Sequence, residues 1–424
     1  MKLRIYNAKI LTPDGIIDGE LRTDGDRICY LSPVSTLDWQ DWDREIDLKG
    51  NLLVPSFKNA HTHSPMTFLR SRAEDMPLKD WLYKQVFPAE GKLTDEDCYL
   101  FTRLAVAEYY SGGTTFACEM YGHTEAVAAA FADTGFGAYI GSGIFDFDGG
   151  YDEITKRAEE LKAAIDKLPR VKYALAMHAQ YTCGDETIRA VCDLSKKYSL
   201  PVMTHLSETK DEVESCKAQY GMSPVKLLAE KGVFDLGGTG FHCVHLDDED
   251  IRIMKKLGVG AVTCPCSNLK LASGIAPLKK LTDSGIVLGV GTDGAASNNA
   301  LDMFRETYLA TCLQKYLLDD AVAVRATDIY ASAVSGAAFG LEKADGLYIG
   351  ALADMAVIDL SAPNMQPLTD VRSNLVYAGG KQNVVMTIAG GKVVYENGEL
   401  LYGEDYGALL EKCNAAAERI KNEL

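Results

Sequence analysis

The stretch between residues 200 and 293 contains four short apolar runs that decide the predicted fold. These runs are LPVMTHL (200–206), GTGFHCVHL (238–246), VGAVTCP (259–265) and GIVLGVGTD (285–293). Each has the length and the residue types of a buried β-strand, and the intervals between them carry helical patterning. Strands that alternate with helices predict a parallel sheet that is covered by helices.

Four similar runs precede this stretch, so the pattern extends over most of the chain. They are NLLVPSF (51–57), GTTFACE (113–119), FGAYIGSGI (136–144) and VKYALAM (171–177). Helical start signals separate them, as at Thr94, a predicted N-cap that precedes three acidic residues. Eight strand–helix units predict an α/β fold with a closed (β/α)8 TIM-like barrel, which we place at residues 56–349.

The two ends of the chain have a different pattern. Strand and hairpin signals without long intervening helices occupy LRIYNAKIL (3–11), RICYLSP (27–33), ADMAVIDL (353–360) and NVVMTIAGGKVVYENGEL (383–400). We predict a small composite β-sandwich domain from residues 1–55 and 350–424, with a helix at the C-terminus. The long connection at residues 65–93 is predicted to be a lid or binding element.

Composition excludes several classes of partner. The 43 Lys and Arg residues against 60 Asp and Glu residues give a net charge of -17, which disfavours nucleic acids and anionic membranes. No stretch approaches the roughly 20 apolar residues of a membrane span, and no signal peptide is recognised, which favours a cytoplasmic location. The 11 cysteines lack paired spacing and are interpreted as reduced, mostly buried thiols, including those of CPC at 264–266.

Histidines are few and concentrated at predicted strand ends, where barrel enzymes carry their active sites. His61 and His63 are two residues apart, so on an extended strand both imidazoles point to one face. His205 ends the fifth run and Asp293 ends the eighth. Three histidines and a carboxylate predict a site for one divalent metal ion, Zn2+ or Fe2+, with a position left for water.

Metal-assisted hydrolysis also requires groups that move protons. Glu208 follows His205 by three residues and is predicted to reach over the metal. His242 and His245 differ by an odd spacing, so they should face different ways. We favour His245 as the residue of the site and His242 as a structural one. His123, taken alone, is typical of a surface or lid histidine.

Several motifs together resemble the amidohydrolase superfamily, in its adenosine-type and S-adenosylhomocysteine deaminase branch. The resemblance covers nearly the whole chain. The lid residues HTHSPMTFLR and MPLKDWL favour the methylthioadenosine and S-adenosylhomocysteine deaminases over guanine deaminases and triazine hydrolases. The motifs that carry it are HTH (61–63), HAQYTC (178–183), HLSET (205–209), HCVHL (242–246), SNLKLASGIAP (267–277) and GTDGAASNN (291–299).

The resemblance implies a reaction and the roles of its residues. It implies that His61, His63, His205 and Asp293 bind the metal. It also implies that Asp293 and His245 orient and deprotonate water, and that Glu208 protonates the purine ring before ammonia leaves. For the substrate, a nucleoside, it implies contacts with Trp81, Asp80 and His178. Relatives of this kind are often homo-oligomers.

Departures from the family pattern concern the substrate. Ser142 and Tyr151 stand where the homocysteine-binding deaminases present two arginines, and neither residue can grip a carboxylate by two charge-assisted hydrogen bonds. Asp80 replaces a common glutamate, and Thr263 replaces a common histidine. An uncharged 5′-substituted adenosine, such as methylthioadenosine, 5′-deoxyadenosine or adenosine itself, is therefore expected in preference to S-adenosylhomocysteine.

Two other functions stay open at this point. The first is a deaminase or chlorohydrolase that acts on another amino-heterocycle, such as a guanine-like base, a pterin or a triazine. The second is a catalytically silent scaffold that keeps the barrel for assembly. The small zinc deaminases of cytosine and tRNA adenine are excluded, because their HxE and PCxxC signatures are missing.

Overall fold

The fold is taken from a computed structural model that describes residues 1–33, 41–72, 74–339 and 346–424. Positions 34–40, 73 and 340–345, which fall within the predicted domain ranges and the lid, lie outside the described residues. No helix in the described ranges is long and apolar enough to cross a membrane.

The described residues alternate strands and helices through the middle of the chain and contain mainly strands near both ends. The strands are β1 (Leu3–Thr12), β2 (Gly15–Asp24), β3 (Arg27–Ser32), β4 (Arg44–Asp47), β5 (Leu52–Pro55), β6 (Phe57–Thr62), β7 (Thr114–Met120), β8 (Gly137–Gly141), β9 (Val171–Tyr173), β10 (Leu175–Ala179), β11 (Val202–Leu206), β12 (Gly238–His242), β13 (Val259–Thr263), β14 (Leu288–Val290), β15 (Met355–Ile358), β16 (Val384–Ala389), β17 (Lys392–Glu396) and β18 (Glu399–Leu400).

The helices include four short ones, at the lid and after β13. The α-helices are α1 (Leu78–Trp81), α2 (Phe87–Glu90), α3 (Asp95–Ser111), α4 (Thr124–Thr134), α5 (Tyr151–Ile165), α6 (Asp185–Tyr198), α7 (Lys210–Tyr220), α8 (Pro224–Glu230), α9 (Asp248–Leu257), α10 (Pro265–Lys270), α11 (Leu278–Asp283), α12 (Met303–Leu318), α13 (Ala326–Val334), α14 (Val371–Tyr377) and α15 (Tyr406–Asn422). Thr94 caps α3 as predicted: its side chain accepts a hydrogen bond from the Asp97 backbone N–H.

The two ends of the chain meet in one sheet. Its strand order is β18-β17-β16-β15-β5-β1-β2-β3, and β4 pairs with β1. Alternate apolar residues of this sheet, among them Ile5, Ile10, Leu53 and Val357, form a core of their own. The predicted β-sandwich is not confirmed, because the strands from both ends of the chain form one continuous sheet.

The middle of the chain contains two parallel sheets, β6-β7-β8-β9 and β10-β11-β12-β13-β14. The predicted parallel α/β architecture is confirmed, but a single closed barrel is not detected among the described strands. Two predicted runs divide. In NLLVPSF the chain leaves the terminal sheet after Pro55, and the first strand of the parallel sheet starts at Phe57. VKYALAM splits into β9 and β10 at Ala174, whose N–H bonds to the carbonyl of Ile140 in β8.

The two parallel sheets adjoin at both edges. At one junction the Asp293 N–H donates to the His61 carbonyl oxygen over 3.0 Å. At the other, the Ile144 N–H donates to the Ala176 carbonyl oxygen over 2.8 Å. Gly291 permits the first contact, because a Cβ at that position would lie 2.6 Å from the His61 nitrogen. The carboxyl ends of β6 and β14 therefore meet, which places His61 beside Asp293.

A buried ion pair joins the parallel region to the terminal sheet. The Arg170 guanidinium contacts both carboxylate oxygens of Asp354 at 2.8 and 3.0 Å, and the Gly390 N–H donates to Asp354 Oδ1 over 2.7 Å. The Asp354 side chain is 3% exposed, while that of Arg170 is 23% exposed. Asp354 is thus the central acceptor of this contact.

We expect Asp354→Ala to lower the free energy of unfolding by about 2–3 kcal/mol, since it leaves the Arg170 charge without its buried partner while water partly compensates. Urea titration followed by circular dichroism measures this change. The exposed pair of Lys280 and Asp248 offers a control, and Asp248→Ala should cost less than about 1 kcal/mol. Equal losses in the two variants would contradict the assignment.

Candidate active site

Four predicted ligands come together at the carboxyl ends of the parallel strands. His61 lies on β6 and His63 directly follows it, His205 lies on β11, and Asp293 follows β14. The ligand atoms of His61, His63 and His205 all lie within 4.8 Å of one another, and so do those of His61, His242 and Asp293. Asp293 Oδ1 is 3.6 Å from His61 Nε2 and 3.2 Å from His63 Nε2.

His61 has the properties of a metal ligand. It is fully buried, and neither of its ring nitrogens has a hydrogen-bond partner among the described residues. Burial, together with the neighbouring His63, lowers the pKa of His61 well below its usual value. Its ring stacks on Phe241 with centroids 4.0 Å apart. A neutral, buried imidazole with unsatisfied nitrogens fits coordination of a cation.

Neighbouring groups orient the other candidate ligands. The Nδ1 atom of His63 bonds to the Met120 carbonyl oxygen, and that of His205 bonds to the His178 carbonyl oxygen over 2.7 Å. Because a carbonyl only accepts, each Nδ1 carries the hydrogen and leaves Nε2 free to coordinate. Hydroxyls of Ser267 and Ser297 donate to Asp293 Oδ2 over 2.6 and 2.7 Å and leave Oδ1 towards the histidines.

The structure brings His242, and not His245, to this cluster. His242 Nε2 lies 3.9 Å from Glu208 Oε2, and its Nδ1 bonds to Asn268 Oδ1 over 2.8 Å. His245 instead bonds through Nε2 to the Ser273 carbonyl oxygen over 2.7 Å. It does not line the cavity that opens over the cluster. The odd spacing did separate the two faces, but β12 ends at His242, and a left-handed backbone at His242 and Cys243 turns the chain before His245.

Glu208 faces the cluster from the turn after β11. Its carboxyl group is buried, and Oε1 accepts a hydrogen bond from the Ser273 hydroxyl over 3.2 Å. The Glu208 backbone N–H donates to Glu212 Oε2 over 2.7 Å, which fixes the turn. Burial raises the pKa of Glu208 above its usual value, so this carboxyl is suited to carry a proton.

A cavity of about 740 Å³ opens over these residues. Trp81, Ser142, His178 and His123 line it, together with Glu208, His242 and three of the four candidate ligands, His63, His205 and Asp293. The Trp81 indole N–H is buried and has no hydrogen-bond partner in the described part of the chain. Such a volume is in the range of small-molecule binding sites.

Two predicted substrate contacts do not line this cavity. Asp80 is partly exposed and forms an ion pair with Lys84 at 2.9 Å. Tyr151 begins α5, and its hydroxyl donates to Asp193 Oδ2 over 2.9 Å. Thr263 is buried at the end of β13 and also lies outside the lining. The position of these residues in the family pattern did not show which way their side chains point.

Several lining residues were not predicted. Glu90 ends α2 in the lid, and its Oε1 accepts a hydrogen bond from the Tyr121 hydroxyl over 2.6 Å. Phe145, Phe147 and Tyr181 add aromatic surface. No local pattern singles them out, although each lies in the long connection or just after a strand. Among residues whose side chains are described, no Lys or Arg lines the cavity, so its ionisable groups are acidic residues, tyrosines and histidines.

None of the 11 cysteines forms a disulfide, which agrees with the prediction of reduced thiols. All are buried except Cys29 and Cys312. Cys264 and Cys266 lie beneath the site, and burial raises their pKa values, so both are protonated thiols at neutral pH.

Known proteins are similar to this chain over nearly its whole length. A 5-methylthioadenosine/S-adenosylhomocysteine deaminase of Pelotomaculum thermopropionicum is 37% identical over 430 residues, which cover 99% of each chain. A 5′-deoxyadenosine deaminase of Methanopyrus kandleri is 35% identical, again over 99% of each chain. The crystal structure of an adenosine deaminase from Xanthomonas campestris with bound zinc superposes with a TM-score of 0.93, at 34% identity, over 99% of this chain and 98% of that one.

A family model described as the amidohydrolase family matches residues 52–394, which include the candidate metal ligands, Glu208 and both His242 and His245. The extent of this match, together with the full-length relatives, leads to one conclusion: the chain belongs to the amidohydrolase family.

Proposed function

We propose that this protein is a metal-dependent hydrolytic deaminase of adenosine-type nucleosides, which releases ammonia and an inosine-type product. The observation that carries the proposal is the convergence of three histidines, Asp293 and the buried Glu208 on one nucleoside-sized cavity. The deaminase relatives with 35–37% identity support it. The reaction is hydrolysis of the C–N bond of a cyclic amidine.

The cofactor in this proposal is one divalent ion, Zn2+ in preference to Fe2+. His61, His63, His205 and Asp293 would hold it, since their nitrogen and oxygen donors suit either ion. The ion would supply Lewis-acid activation of water. The zinc in the related adenosine deaminase structure supports Zn2+.

Protons are moved by this chain's own residues. Asp293, whose Oδ2 accepts hydrogen bonds from two serine hydroxyls, would accept a proton from water through Oδ1. His242, which lies beside Glu208, would orient the same water and take the role predicted for His245. Glu208 would pass a proton to the ring nitrogen next to the amino-bearing carbon while the oxygen of water bonds to that carbon. The proton taken up by Asp293 would then go to the amino group, the C–N bond would break to release ammonia, and the hydroxyl proton would return to Glu208 as the carbonyl forms.

The cavity lining supports an uncharged substrate. Trp81 and His178 would contact the base, and Ser142 would lie beside the 5′ end of the nucleoside. Glu90, rather than the solvent-facing Asp80, is the lid carboxyl that can accept ribose hydroxyls. Tyr151 has no place in this assignment, because its hydroxyl is bound to Asp193 outside the cavity.

We propose two domains for this chain. Residues 56–349 would form the (β/α)8 barrel, through contacts such as those of Asp293 with His61 and of Ile144 with Ala176. Residues 1–55 and 350–424 would form the small composite β domain. The barrel would place all ligands on one rim.

A substrate panel tests the function. We expect methylthioadenosine, 5′-deoxyadenosine and adenosine to release ammonia, with kcat/KM for S-adenosylhomocysteine lower by roughly tenfold to a hundredfold, because no described cation lines the cavity to pair with its carboxylate. Ammonia release is followed by a coupled assay. Turnover confined to guanine or another free base would reject the nucleoside assignment. Equal kcat/KM for S-adenosylhomocysteine would reject only the preference for an uncharged 5′ group.

A further inference from the structure

We infer that His245 is a positioning residue that holds two loops together so that Glu208 and His242 keep their places at the reacting centre. The inference rests on the proposed proton-transfer role of Glu208. His245 is only partly buried and does not line the cavity, so it would act through other residues and not on the substrate.

One set of contacts joins His245 to the turn that carries Glu208. The His245 backbone N–H donates to the Ser207 carbonyl oxygen over 2.9 Å, and the Val244 N–H donates to the same oxygen over 3.1 Å. Ser207 has a positive φ of 51°, an uncommon backbone conformation for a residue other than glycine. The segment after β12 therefore supports a strained turn directly before Glu208.

A second set joins the His245 imidazole to the loop after α10. Nε2 bonds to the Ser273 carbonyl oxygen over 2.7 Å, so Nε2 carries the hydrogen. The Ser273 hydroxyl donates to Glu208 Oε1 over 3.2 Å. Gly274, with a φ of 129°, lies against this site: a Cβ there would be 2.9 Å from Val244 Cγ1 and 3.6 Å from His245 Nε2. The loop is thus fitted closely to His245.

The same loop also supports His242. The Ser273 N–H donates to the Asn268 carbonyl oxygen over 2.8 Å, and Asn268 Oδ1 bonds to His242 Nδ1 over 2.8 Å. Displacement of Ser273 would therefore move the partners of both proton-handling groups. Among the described residues, the proposed metal ligands His61, His63 and His205 form no hydrogen bond with this loop, so they should be unaffected.

The test compares His245→Phe, which keeps a ring without the N–H donor, with His245→Gln, whose amide can donate to the Ser273 carbonyl. We expect His245→Phe to lower kcat by roughly tenfold to a hundredfold, since small misplacements of catalytic groups have effects of this size, while KM changes by less than about twofold. Metal content, measured by plasma emission spectrometry, should equal that of the wild type. His245→Gln should recover most of the lost kcat.

A double-mutant cycle separates positioning from general stability. In the Glu208→Gln background, His245→Phe should lower kcat by a smaller factor than it does in the wild type, because one of the two groups that His245 positions is already inactive. Ser273→Ala provides a second variant if His245→Phe does not fold, and it should lower kcat in the same way.

An unchanged kcat in His245→Phe, full additivity in the cycle, or a loss of metal would overturn the inference. Failure of the proposed function would give experimental results that differ from these. In that case the wild-type protein would not release ammonia from nucleosides, or Glu208→Gln would keep near-normal turnover.

Discussion

Glu208→Gln is expected to remove most turnover while the metal remains bound. Glutamine keeps the size of the side chain and can still accept a hydrogen bond from Ser273, but it cannot carry a proton between water and the ring nitrogen. Loss of such a general acid–base group costs roughly 10²- to 10⁴-fold in kcat. Steady-state ammonia release and metal analysis of the same preparation measure both effects.

Glu214→Gln is the matched control for this variant. Glu214 lies on α7 close to Glu208 in the sequence, but its side chain is 64% exposed and pairs with Lys210 on the surface. Its kcat should equal that of the wild type. If Glu208→Gln retains activity near that of Glu214→Gln, Glu208 is not the proton carrier.

Removal of the metal by a chelator is expected to abolish activity. Among the described residues, the groups that could hold a metal ion all consist of His61, His63, His205, His242 and Asp293, and the His61 ring nitrogens have no hydrogen-bond partner there. Addition of Zn2+ or Fe2+ to the metal-free protein, with iron tested under anaerobic conditions, shows which ion restores turnover. Full activity of a protein shown to be metal-free would reject the proposed chemistry.

Single substitutions refine the metal experiment. His205→Ala should lower the metal content to well below one ion per chain, since His205 Nε2 is one of three clustered imidazole donors. His123→Ala is the matched control: its Nδ1 is bound to Asp95, and it lies outside the metal cluster. Metal content should therefore be unchanged in His123→Ala. Equal metal loss in both variants would indicate that the cluster does not bind the ion.

The convergence of His61, His63 and His205 was predictable because local spacing and strand position were sufficient. His61 and His63 share a face through the two-residue repeat of a strand, and parallel strands bring their carboxyl ends to one edge. The first strand itself was misplaced, since Leu52–Pro55 and Phe57–Thr62 belong to different sheets. The sequence does not reveal that division, because NLLVPSF is one continuous, mostly apolar run and the strands on both sides of Ser56 are largely buried.

The choice between His242 and His245 was not predictable from spacing. Alternation shows that the two side chains face differently, but not which one faces the cluster of candidate metal ligands. The positive φ values at His242 and Cys243 and the contact of His242 with Asn268, 26 positions further along the chain, settle their placement. The prediction that Asp80 and Tyr151 contact the substrate fails for a related reason. Asp80 forms an ion pair with Lys84, and the Tyr151 hydroxyl donates to Asp193, so both side chains have partners outside the cavity.

The sequence by itself determined the alternating α/β architecture, the grouping of His61, His63, His205 and Asp293, and the family. These features depend on short-range periodicity and on residue types at strand ends, which are visible along the chain. Only the tertiary structure decided that His242 joins the cluster, that Glu90 lines the cavity, and that His245 connects the Glu208 turn to Ser273. These features depend on contacts between distant segments and on local backbone conformation, which no spacing rule specifies.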